Sequence, residues 1–206
     1  MPPTHTMTED ARAVLNIGGN SKSIAIPACF DGWRHDLLDI DPLGAPDVLC
    51  DARELWKLPV RSYDAVYCSH NLEHYYQHDV IKVLKGFKMV LKKDGFAYIR
   101  VPDMLSVMNA MREKELDIDD VLYQSPSGPI RISDIIYGFQ RQIEQSGNDF
   151  YAHKTGFTER SLTRILTDNG FPFVFTDVSG CGYEIMAAAF MAPPAEWQTS
   201  LLSIRP

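Results

Sequence analysis

The sequence predicts an α/β fold built on a doubly wound, mostly parallel seven-stranded sheet that ends in a C-terminal antiparallel β-hairpin. Three observations carry this. Short, continuously apolar runs alternate with helical periodicity, the pattern of parallel strands covered on both faces. Polar residues gather where those runs stop, at Gly18-Gly19, Asp39, Asp51 and Ser69-His70. In open α/β sheets that edge is where ligands bind. The last two runs are separated only by Ser179-Gly180-Cys181-Gly182, too short for the crossover that a parallel pair needs.

The elements follow in order. Residues 13–17 read as a buried strand stopped by Gly18-Gly19. Residues 37–40 read as a second strand, halted at Asp41-Pro42, 47–50 as a third and 63–68 as a fourth. Between the first two, residues 24–30 hold Pro27 and are a poor match for a long helix. Residues 77–91 carry an apolar stripe of Val80, Val83, Leu84, Phe87 and Leu91. The lysines among them and just after (Lys82, Lys85, Lys88, Lys92, Lys93) are read as a solvated face. Asp94-Gly95 ends that helix, and 96–101 is a fifth strand. Thr158 is placed to cap a helix carrying Leu162, Ile165 and Leu166, closed by Asn169-Gly170. Residues 173–178 and 183–191 then form the hairpin.

Residues 104–157 break the alternation. They hold an acidic, helix-like piece (112–122), a turn-rich link (124–129) and an amphipathic segment (132–143). We read them as an insertion over the sheet's C-terminal edge, a substrate lid within a single 1–206 domain. That leaves 13–103 as the ligand-binding half and 158–192 as the last helix and hairpin.

Composition limits the function. With 206 residues, 45% hydrophobic and 23% charged, the chain is an ordinary globular domain. A formal charge of −7 argues against nucleic acid as partner, because phosphate binding needs clustered Lys and Arg. Cys29, Cys50, Cys68 and Cys181 form no C-x-x-C pair, as expected of free thiols in a reducing compartment. No apolar run reaches transmembrane length, and residues 1–10 show no signal-peptide core. The expectation is a cytoplasmic protein with a small-molecule substrate and no membrane partner. Its oligomeric state stays open.

Five motifs in order then resemble the class I, Rossmann-like S-adenosylmethionine-dependent methyltransferases over roughly residues 13–103. Leu15-Asn16-Ile17-Gly18-Gly19-Asn20 stands at their glycine-rich turn, and Leu38-Asp39-Ile40-Asp41 at their second-strand acid. Asp51-Ala52-Arg53, residues 63–74 and residues 91–96 are similar to the segments that follow. Residues 153–157 resemble a segment of small bacterial predicted members. Asn16 stands where the family usually has an acid, and the glycine spacing is atypical.

The resemblance implies S-adenosylmethionine as cofactor and S-adenosylhomocysteine as product. It implies an O or N acceptor on a small or glycan-like molecule. A cofactor-binding but catalytically degenerate regulatory protein is the alternative. The implied binding set is Asn16, Gly18, Gly19, Asn20, Asp39, Ile40, Asp51, Ala52 and His70, with Asp39 on the ribose hydroxyls and Asp51 on the adenine amino group. Asn71 is expected beside His70 in the pocket.

If the acceptor must lose a proton, a base is needed. His70, His153 and Tyr137 are the catalytic candidates, with His74 and Asp103 behind them. His70, His74 and His78 at i, i+4 and i+8 would share a helix face, but no carboxylate or cysteine joins them at ligand spacing. No metal is expected.

Overall fold

The computed structural model describes residues 11–125 and 128–204; the polar leader 1–10 and two residues of the turn-rich link lie outside the described residues. In chain order the described strands are β1 (Ala13–Ile17), β2 (Arg34–Asp39), β3 (Val48–Leu49), β4 (Tyr63–Ser69), β5 (Leu91–Pro102), β6 (Val121–Ser125), β7 (Gly128–Arg131), β8 (Phe173–Val178) and β9 (Glu184–Phe190). The described helices are α1 (Gln77–Val90), α2 (Met104–Glu113), α3 (Ile132–Tyr137), α4 (Gln140–Ser146), α5 (Glu159–Asp168) and α6 (Glu196–Leu201).

Seven strands form one sheet in the order β3-β2-β1-β4-β5-β9-β8, and β6-β7 is a separate antiparallel pair. The pairs among β1 to β5 are parallel, while β9 runs antiparallel to both β5 and β8. This is the mixed sheet the four-residue hairpin link requires. The chain leaves β1 toward one side of the sheet and later returns to the other, through β4. That reversal opens a crevice at the C-terminal ends of β1 and β4.

The two faces are covered differently. α1 and α5 pack on one face, burying Val80, Val83, Leu84, Phe87, Leu162 and Leu166 in one core with β1, β4, β5 and β9, α5 lying over the β8-β9 pair. Thr158 caps α5 through the amide of Ser161. On the other face only a short 3-10 turn, Ala28–Phe30, stands between β1 and β2. Pro27 and the polar stretch Asn20-Ser21-Lys22-Ser23 before it do not sustain a helix there. Aromatic rings fill the space instead: Phe30 and Trp33 pack with Phe96, Tyr67 and Tyr98, and Trp197 of α6 closes the cluster.

Three expectations shift. α1 ends at Val90, so Lys92 and Lys93 belong to β5 rather than to a helix face. The helix after β5 is Met104–Glu113, started by Asp103 accepting from the amide of Leu105; the stretch expected to be helical at 112–122 is mostly turn and β6. The amphipathic segment is two short helices, broken at Gly138, whose φ is 94°. A Cβ at Gly138 would collide with the carbonyl of Tyr151. All four cysteines are free; Cys68 is buried, Cys29 and Cys50 half-buried and Cys181 exposed.

Candidate functional site

A cavity of about 360 Å³ opens in the crevice beyond β1, β2 and β4. Gly18 makes the turn out of β1 with φ 70°, and a Cβ there would overlap the Asn71 side chain. The glycine thus lets the turn approach the loop after β4. Asp39 closes β2 and is buried. Its carboxylate accepts the amides of Asn20 and Asp41, each at 2.9 Å. A carboxylate has about four lone-pair positions. Asp39 therefore pins two loops and retains acceptor capacity for a pair of hydroxyls.

Asp51 caps the 3-10 turn Ala52–Lys57 and grips Arg53 through its amide and its guanidinium. Burial pushes its carboxyl up, but the Arg53 bonds outweigh that and hold it below the ordinary range. Arg53 also reaches Asp79, 3.6 Å away.

His70 leaves β4 with φ 47°, and Asn20 has φ 60°; both left-handed residues line the cavity. Strained backbone of this kind gathers at functional sites. The His70 ring lies between two carboxylates, with Nε2 2.8 Å from Glu184 and Nδ1 3.5 Å from Glu73. Burial pulls its pKa down, but the two acids together push it up to about 10. Glu184 is also bonded to Arg100 at 2.5 Å; burial works against its charge, yet these two cations hold it at about 2.

His74 lines the cavity with both ring nitrogens 3.1 Å from backbone carbonyls, those of Ala152 and His70. His153 stands behind it, ring centroids 4.8 Å apart, and donates through Nδ1 to the carbonyl of Ile135 at 2.7 Å. Burial lowers the His153 pKa, so its ring is neutral and Nε2 keeps a lone pair.

The structure brings together much of the expected set: Gly18, Asn20, Asp39, Ile40, Asp51, His70 and Asn71 all line the cavity. Asn16, Gly19 and Ala52 do not; Asn16 and Ala52 are buried, and Gly19 packs its backbone against the Asn16 side chain. Nor do Tyr137, which is exposed outside the wall, or His153, which His74 screens. Asp103 is spent as a helix cap. The shared histidine face does not form, because residues 72–74 are a 3-10 turn and α1 begins only at Gln77. His78 is exposed and stacks on Tyr76.

Sequence reasoning missed Arg53, Tyr75, Tyr76, Asp79, Asp149, Phe150, Tyr151 and Lys154 in the wall. The last four come from the segment at 149–154. The available signal was a pair of aromatic doublets, Tyr75-Tyr76 and Phe150-Tyr151, outside any helical period.

Residues 36–99 match a family model described as a methyltransferase domain. A search of curated proteins finds no match. Among solved structures, the chain is similar to a SAM-dependent methyltransferase from Archaeoglobus fulgidus, with TM-score 0.55, 16% identity and coverage of 87% of this chain and 86% of that one. One from Methanosarcina mazei gives 0.52 and 15% over 93% and 98%. A SAM-dependent methyltransferase from Thermotoga maritima, described as a possible histamine N-methyltransferase, gives 0.54 and 17% over 90% and 84%. The fold is therefore the one these S-adenosylmethionine-dependent methyltransferases share, and the methyltransferase-domain match falls on its first half. Among the described residues no helix is long and apolar enough to cross a membrane.

Proposed function

We propose that the chain transfers a methyl group from S-adenosylmethionine to an O or N atom of a small-molecule or glycan-like acceptor. The observation that carries this is Asp39: a buried carboxylate at the end of β2, facing the cavity with unused lone pairs. Its position suits the ribose hydroxyls of the cofactor. The wall is rich in carboxylates, with Asp41, Asp79 and Asp149 beside Asp39 and Asp51, which favours a ligand carrying a positive sulfonium. When bound, the cofactor supplies a methyl carbon already activated for displacement.

The chain's own work is binding, orientation and exclusion of water. Asp39 and the Gly18–Asn20 turn hold one end of the ligand. Arg53, fixed by Asp51 and Asp79, offers a planar cation to the adenine region. Phe150 and Tyr151 cover the open side, so that 104–157 acts as a lid. No ring nitrogen in the wall is poised as a base, since His70 is charged and both nitrogens of His74 face carbonyls. The transfer thus suits an amine that attacks as its neutral form and loses its proton to solvent afterwards. A cavity of this size fits small-molecule sites, which span about 300–1,000 Å³.

The test is a thermal-shift series with S-adenosylmethionine, S-adenosylhomocysteine and NADH. Either sulfur compound at a hundred times its dissociation constant should add about 2.7 kcal/mol. Asp39→Asn should weaken both by about tenfold, the value of one charged hydrogen bond. Absence of a shift with both sulfur compounds would overturn the reading.

A further inference from the structure

A buried carboxylate beside the cavity has no hydrogen-bond partner. Glu73 is 1% exposed, and neither of its side-chain oxygens is hydrogen-bonded. Its nearest cation, His70, is 3.5 Å away and lies closer to Glu184, at 2.8 Å. An ionised carboxylate without direct partners is costly to bury.

Two imidazoles face the same spot. Ligand atoms of Glu73, His74 and His153 all lie within 4.8 Å of one another. Ligand atoms about 2.1 Å from a tetrahedral zinc stand about 3.4 Å apart, so binding requires the side chains to rotate inward around the ion. His153 has the arrangement of a ligating histidine: Nδ1–H is fixed on the Ile135 carbonyl, and Nε2 is left with its lone pair. His74 has a similar tie but an extra problem. A neutral imidazole donates through one nitrogen only, so its second nitrogen turns a lone pair toward a carbonyl oxygen 3.1 Å away. A cation between the two would satisfy both.

We propose that Glu73, His74 and His153 bind a divalent transition metal of the zinc type, clamping the insertion onto the core beside the cavity. Two imidazoles and one carboxylate suit zinc and its neighbours rather than magnesium or calcium, which prefer all-oxygen sites. The clamp joins distant parts of the chain. Glu73 and His74 sit between β4 and α1, while His153 belongs to the segment whose Lys154 and Thr155 amides already bond the Glu73 carbonyl, at 2.7 and 3.1 Å. His74 is in the cavity wall, so the metal would stand directly behind the site.

The experiment needs no methyl transfer. The metal-stripped chain is dialysed against zinc chloride, with magnesium chloride as control, and bound metal is measured by atomic emission. Cobalt substitution reports the ligand field by visible absorption. The expected result is one zinc per chain, no magnesium, and a cobalt d–d band. Glu73→Gln and His153→Gln, checked for folding by circular dichroism, should each weaken zinc by at least about tenfold. If Glu73→Gln does not fold, the half-buried His153→Gln and the wild-type cobalt spectrum still decide. Zinc retention unchanged in the folded variants, or no wild-type zinc and no cobalt band, would overturn the proposal.

Discussion

Asp39 and Glu184 are both buried carboxylates at the C-terminal edge of the sheet, yet they are satisfied in opposite ways. Asp39 accepts two backbone amides and keeps lone pairs toward the cavity. Glu184 lies between the charged groups of Arg100 and His70 and has its charge consumed there. Removing one partner of such a buried set leaves the others uncompensated. Glu184→Gln should therefore lower stability by about 3 kcal/mol at pH 7. The sign of the pH dependence follows from a folded pKa of about 2 against an ordinary 4.5. The stabilisation is complete above pH 4.5 and is lost as pH falls toward 2. Urea denaturation of both proteins should show the full gap at pH 7 and a much smaller one near pH 3; equal gaps at the two values would refute the assignment. Asp39 was legible in the sequence because it ends an apolar run. The convergence of Glu73 with His153 was not, since the tie between His74 and Ala152 spans 78 positions and has no local periodicity.

At the scale of elements, the strand edges were the readable part. Uninterrupted apolar runs with polar stops mark buried parallel strands, and the short link at 179–182 marks the hairpin. Helices between 104 and 157 were harder, because their boundaries are set by tertiary contacts. Asp103 starts α2 only because β5 delivers it to the sheet edge, where it also bridges to Phe157. The thin face between β1 and β2 has its own consequence. Where a helix is missing, α6 provides part of the cover: Trp197 packs on the Trp33–Phe96 cluster and carries the Arg12 guanidinium 3.8 Å above its ring. Gln198, buried beneath, donates to the carbonyl of Asp94 at 2.7 Å. Trp197→Ala should cost about 2 kcal/mol, below the range for a fully buried ring because Trp197 is only partly covered. No residue of α6 lines the cavity, so cofactor affinity should stay the same by calorimetry. A stability loss under about 0.5 kcal/mol would mean that the aromatic cluster stands without α6.

Across the described residues, the segment 104–157 is held unevenly. α2, α3 and the β6-β7 pair share a small core of Val107, Ala110, Leu122, Ile132 and Ile135. The stretch beyond it does not. Neither α4 nor the 3-10 turn Asp149–Tyr151 buries a residue, and left-handed glycines stand at Gly138 and Gly147. Yet that turn supplies Phe150 and Tyr151 to the cavity wall. Segments with few buried contacts open with little free energy, and ligand contact raises that cost. Amide exchange across 140–151 should therefore be fast in the free chain and slow by roughly tenfold or more with S-adenosylhomocysteine bound. Residues 154 and 155, whose amides are fixed on the Glu73 carbonyl, should be protected in both states. Exchange in 140–151 that ignores the ligand, while the chain binds it, would show that the insertion is a fixed extension of the fold and that acceptor access is governed elsewhere.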